Sequence, residues 1–187
     1  MKSPAGQDLL QLRNHALQLE LDPGRGARCN ALDWIHPDGS GSIPLLRPQF
    51  DTSDEVLHSA CFALIPYSNR LFDGRLITPQ GVRVLPMNMA HSPHPVHGLG
   101  WRTAWQVREH RPHRARLHYN HVADIHWPYP HNAEQTIVLA GSRVRFELAL
   151  RNQSDVPMPA GLGWHPCFAI DAQTRIRLHA PEVWARD

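Results

Sequence analysis

The stretch Val144-Arg145-Phe146-Glu147-Leu148-Ala149-Leu150 puts an apolar residue at every second position, with Arg145, Glu147 and Ala149 between them. A period of two sends one set of side chains to a core and the other to a second surface, which is the signature of a β-strand. The same alternation recurs elsewhere: Leu17, Leu19 and Leu21 against Gln18 and Glu20, and Leu117 and Tyr119 against Arg116, His118 and Asn120. Ile176 and Leu178 against Arg175, Arg177 and His179 predict one more strand. No window carries a sustained apolar stripe at helical spacing.

Between these segments the punctuation is dense, with 17 prolines and 12 glycines in 187 residues. Asp22-Pro23-Gly24, Pro37-Asp38-Gly39, Asp73-Gly74 and Ala140-Gly141 read as turns. Many short strands with frequent turns predict an all-β sandwich or barrel. The length fits a single domain over residues 1–187. The Pro- and His-rich segment 88–100 is a poor strand and reads as a long loop, a common place for sites on β scaffolds.

Composition narrows the function classes. The formal net charge is +2 and Lys2 is the only lysine, so no strong field draws the chain to nucleic acid or to a membrane surface. The N-terminus has no apolar leader-like core, and the apolar run 61–66 is too short to span a bilayer. Three widely spaced cysteines, Cys29, Cys61 and Cys167, form no CxxC motif. They predict free thiols in a reducing compartment, the cytoplasm.

Three segments carry residue types suited to chemistry. In Pro66-Tyr67-Ser68-Asn69-Arg70-Leu71-Phe72-Asp73-Gly74 a polar cluster follows the apolar run 62–65. Arg70 offers a rigid fork of donors for hydroxyls or a carboxylate, and a capped turn with a solvated Arg reads equally well. In Val96-His97-Gly98-Leu99-Gly100-Trp101 an imidazole sits on open backbone beside a flat apolar ring, the usual anatomy of a sugar site; a plain surface loop is the alternative. In Gly161-Leu162-Gly163-Trp164-His165-Pro166-Cys167-Phe168 the His is flanked by Gly163 and Pro166, one permissive and one stiff. Histidine can donate or accept a proton near neutral pH, and a structural His reads at least as well. His91, His94 and His97 recur every three residues, but Pro93 and Pro95 forbid a shared helical face and no Cys or carboxylate adjoins them, so no metal site is expected.

In order and spacing, PYSNRLFDG, NMAHSPHPVHGLGW and PAGLGWHPCF resemble three segments of the aldose 1-epimerase family, and the resemblance covers the chain from about Leu17 onward. It implies a galactose-mutarotase-like supersandwich and interconversion of the α and β anomers of a free hexose, without cofactor. It implies that His165 protonates the ring oxygen and that His97 polarises sugar oxygens. Arg70 and Asn69 would bind hydroxyls, with Trp101 and Trp164 as candidate sugar-facing rings. Cys167 stands where the family motif has tyrosine. The family's Asp and catalytic Glu follow the second His at greater distance than the 22 residues present after His165. The expected fold is therefore incomplete at its C-terminal side and lacks the base. Asp73, Asp124, Asp171 and Glu182 lie outside the matching contexts. A carbohydrate-binding protein without catalysis and a hexose-6-phosphate 1-epimerase relative are the alternatives.

Overall fold

Alternating apolar residues need a second apolar surface, and the chain supplies it by packing two antiparallel sheets face to face. A computed structural model describes residues 8–49, 55–177 and 179. Its strands are β1 (Leu10–Arg13), β2 (Leu17–Asp22), β3 (Arg28–Ile35), β4 (Ser42–Pro44), β5 (Cys61–Leu64), β6 (Arg75–Thr78), β7 (Gly81–Val84), β8 (Gln106–Arg111), β9 (Arg114–His121), β10 (His131–Ala140), β11 (Arg143–Asn152) and β12 (Gly163–Pro166). Helix is confined, among the described residues, to two single 3-10 turns, Val56–His58 and Phe72–Gly74. Neither is long or apolar enough to cross a membrane.

One sheet runs β1-β2-β3-β5-β12, with β4 added on β3; the other runs β11-β10-β9-β8, and β6-β7 is a separate hairpin. Leu12, Leu17, Leu19, Leu21 and Cys29 from the first sheet meet Ala115, Leu117, Tyr119, Ala133 and Ile137 from the second in one core. Trp105 is buried there and stacks on Tyr119 at 5.5 Å. Gln135 crosses the gap, its amide donating to the Ala27 carbonyl at 3.1 Å.

The alternating segments at Leu17, Leu117 and Val144 are β2, β9 and β11. The apolar residues of β11 are only half-buried, because β11 is the edge of its sheet and has a neighbour on one side alone. The strand expected at Ile176 is not formed: residues 171–177 have no strand structure and Ile176 is 73% exposed. Alternation by itself does not make a strand where no neighbouring strand offers backbone partners. Leu178, the second apolar position of that expected strand, lies outside the described residues.

At the far end of β9 and β10, His121 and His131 are cross-strand partners with rings stacked at 4.7 Å. His131 donates from Nδ1 to the Tyr129 carbonyl at 3.1 Å. Burial, with His121 adding to it, lowers the His131 pKa from 6.5 to about 4. The folded chain thus keeps His131 neutral where the unfolded chain protonates it. Its contribution is intact above pH 6.5 and is lost as pH falls toward 4. The melting temperature is expected to drop across this window. In calorimetry at stepped pH values His131→Gln should show a shallower drop, and parallel curves for the two proteins would assign the proton uptake elsewhere.

Candidate active site

The site is assembled on the outer face of the β5–β12 ladder. Register sets its contents: His165 pairs with Phe62, and Trp164 with Ala63. Successive residues face opposite ways, so Phe62 and His165 share one side of the sheet while Cys61 and Trp164 take the other. The imidazole of His165 lies flat on the buried Phe62 ring, 4.7 Å between centroids and 8° from parallel. Phe62 also stacks on Trp101 at 5.5 Å.

His97 arrives from the irregular segment 88–100. Its ring is 6.3 Å from that of His165 and meets Trp101 edge-on at 5.8 Å. Its backbone has a φ of 59°, a left-handed conformation that costs about 1–3 kcal/mol for an ordinary residue. Neighbouring bonds hold it there. The His97 N–H donates to the Asn69 carbonyl at 3.0 Å, and Arg70 and Val96 form an isolated antiparallel bridge. Asn69 itself has a φ of 61°, which asparagine tolerates better than most residues. Gly98, at φ 72°, leaves no room for a side chain, since a Cβ there would lie 2.2 Å from the Pro66 ring.

Asn88 closes this arrangement. Its amide donates to the Val96 and Gly98 carbonyls, both at 2.7 Å, and its oxygen accepts the Val96 N–H at 2.7 Å. One side chain therefore clamps the residues on both sides of His97. The motif NMAHSPHPVHGLGW contains Asn88, but sequence spacing alone gives no sign that its side chain folds back eight to ten residues.

Electrostatics separate the two histidines. Burial is the main force on His97, followed by His165 and Arg70, and together they lower its pKa to about 4. It is neutral at physiological pH, and its buried Nδ1 has no hydrogen-bond partner among the described residues. His165 is exposed. Arg70 and Asn69 are exposed beside it, the guanidinium donating to the Asn69 side-chain oxygen at 3.4 Å. None of the forces on His97 comes from a carboxylate. A neutral imidazole with an accessible imidazole and a guanidinium close by offers donors and acceptors suited to a polyhydroxylated molecule and groups able to move a proton.

His97 and His165 lie together with Arg70 and Asn69 beside them, whereas the ring of Trp101 is buried and that of Trp164 lies on the other side of β12. Trp101 is 0% exposed, packs beneath Phe62 and donates from Nε1 to the Gly98 carbonyl at 2.8 Å. It supports the loop from below. Trp164 points to the opposite side of β12, meeting Phe146 at 5.2 Å and lining an apolar cavity with Leu32, Cys61 and Phe168. Strand alternation forces this, because Trp164 is adjacent to His165. His94 turns away toward Asp73, whose N–H donates to His94 Nδ1 at 3.1 Å. Among the described residues no three His, Cys, Asp or Glu side chains gather as metal ligands.

Fold and site together define a galactose-mutarotase-like antiparallel β-sandwich. A crystal structure of an Escherichia coli K12 protein assigned provisionally to the aldose 1-epimerases superposes with a TM-score of 0.78 at 27% identity, over 89% of this chain and 53% of that one. A galactose mutarotase related enzyme from Lactobacillus acidophilus shares the fold with a TM-score of 0.70 at 15% identity, over 89% of this chain and 50% of its own. The uncharacterized protein YphB of Escherichia coli K12 is 32% identical over 143 residues, 76% of this chain and 48% of that protein. The family model for aldose 1-epimerase matches residues 25–187. The chain belongs to the aldose 1-epimerase family, and it spans about half the length of the relatives it matches.

Asn88→Ala removes all three clamp bonds and leaves the carbonyls beside His97 with fewer donors. It is expected to cost about 1–3 kcal/mol in urea unfolding and to shift the His97 ring resonances in NMR. Unchanged stability together with an unmoved His97 would mean that the backbone contacts suffice.

Proposed function

We propose that this chain binds a free aldohexose between His97, His165 and Arg70 and supplies the acid half of anomer interconversion. The observation that carries the reading is the pairing of a His97 held neutral with an accessible His165 6.3 Å away. Mutarotation needs a proton delivered to the ring oxygen and a proton removed from the anomeric hydroxyl. The C1–O5 bond breaks, the open aldehyde turns about C1–C2, and the reverse transfers close the ring on its other face. No electrons are exchanged, so the reaction needs no redox partner.

In this reading His165 is the proton donor to the ring oxygen. Stacking on Phe62 fixes the plane of its imidazole, so its nitrogens approach substrate along one direction. His97 stays neutral and offers a lone pair and an N–H to sugar oxygens without a competing charge. Arg70 and Asn69 bind hydroxyls. The family membership and the ordered motifs support a sugar ligand, and the free thiols Cys29, Cys61 and Cys167 support a cytoplasmic location.

The test is binding first and turnover second. Adding galactose or glucose should move the ring resonances of both His97 and His165, and Arg70→Ala should weaken that binding. By polarimetry, any mutarotase activity should fall by about two orders of magnitude or more in His165→Gln. Hexoses that leave both imidazoles unmoved would reject the sugar site. Binding without turnover above the buffer rate would favour a carbohydrate-binding role.

A further inference from the structure

Cys167 lies two residues beyond His165, on the same side of the β12 backbone line. Its Sγ is 3.8 Å from His165 Nδ1, within the reach of a sulfur hydrogen bond. The backbone around it is fixed on both sides: its N–H donates to the Ala60 carbonyl at 2.8 Å, and its carbonyl accepts the Arg47 N–H at 2.7 Å. The thiol therefore cannot leave the imidazole by a simple shift of the chain. It is also partly exposed, while Cys29 and Cys61 are buried. Burial raises the pKa of Cys29 well above the ordinary thiol value and pushes Cys61 to about 12, which makes both poor nucleophiles. The titratable groups near Cys167, which directly follows β12, are His165 on its own side and Cys61 of β5 on the inner side of the ladder.

We propose that Cys167 and His165 form a thiol–imidazole pair, and that Cys167 is a modification site for soft electrophiles and peroxides whose occupation closes the neighbouring sugar site. Only the consequence for sugar rests on the functional reading above. With an alkyl halide, sulfur bonds to carbon, the halide leaves with its electron pair, and the thiol proton passes to His165 Nδ1. With a peroxide, sulfur attacks one oxygen and the O–O bond breaks. The leaving hydroxide takes the proton as water, sulfur is oxidised by two electrons to sulfenic acid, and the peroxide is reduced. Either product adds bulk within 4 Å of the imidazole and removes the thiol that adjoins it. The sulfenic acid is reversible by thiol reductants, so the block is a switchable one.

The experiment is labelling of the folded protein with iodoacetamide at pH 7, followed at each cysteine by peptide mass spectrometry. Cys167 should react about a hundredfold faster than Cys29 or Cys61. It should also react faster in the folded chain than in the same chain unfolded in urea, where the imidazole partner is lost. In a folded His165→Gln protein the Cys167 rate should fall about tenfold or more. With hydrogen peroxide, a sulfenic-acid trap should mark Cys167. A folded-state rate at Cys167 no greater than the unfolded rate overturns the pair, even if His165→Gln fails to fold. A rate unchanged in folded His165→Gln overturns it as well. Galactose in excess should slow labelling. Fast, His165-dependent labelling that galactose does not slow upholds the pair and counts against the sugar reading instead.

Discussion

The stacking of His165 on Phe62 is the contact from which the rest of the site follows. It exists because β12 pairs with β5 in one register, with His165 opposite Phe62. A slip of one residue would turn every side chain of β12 over. His165 would then enter the apolar interior and Trp164 would stand at the opening. The core opposes such a slip, because Cys61 and Trp164 are both placed among apolar side chains on the inner face. Hydrophobic packing on one side of the ladder thereby fixes an imidazole on the other.

His97 is held by different means. It lies on irregular chain, where no ladder determines direction, and its left-handed backbone is unfavourable in isolation. The Asn88 clamp, the bond to Asn69 and the buried Trp101 indole each fasten part of the loop. The result is a ring pressed far enough into the protein to lose its proton at neutral pH, beside a second ring that remains in contact with solvent. The two side chains are identical, and it is burial, with His165 and Arg70 adding to it, that holds His97 neutral.

Much of this was legible in the sequence. The strands at Leu17, Leu117 and Val144 announce themselves by alternation, and the segments around Arg70, His97 and His165 mark the residues that converge. Other parts were hidden for physical reasons. Sequence shows that Trp101 and Trp164 are aromatic but not which way they face; one is a buried support and the other is turned inward by its neighbour's orientation. Phe62 looks like an ordinary core residue until the ladder places it under His165. Ile176 stands in a convincing alternation and yet is not in a strand, because a strand needs a partner and partner positions are set by tertiary structure.

The four residues of β5, Cys61 to Leu64, are buried on both faces, with the site resting on one and the sandwich core on the other. A substitution there alters the floor of the site and the interior at the same time. Any evolutionary change of ligand preference meets a narrow passage at this strand, since improvement on one face must also be acceptable on the other. The segments 67–74 and 88–98 carry no such double duty along most of their length. Diversification among descendants of this scaffold would accordingly accumulate in the rim loops while the floor stays as it is.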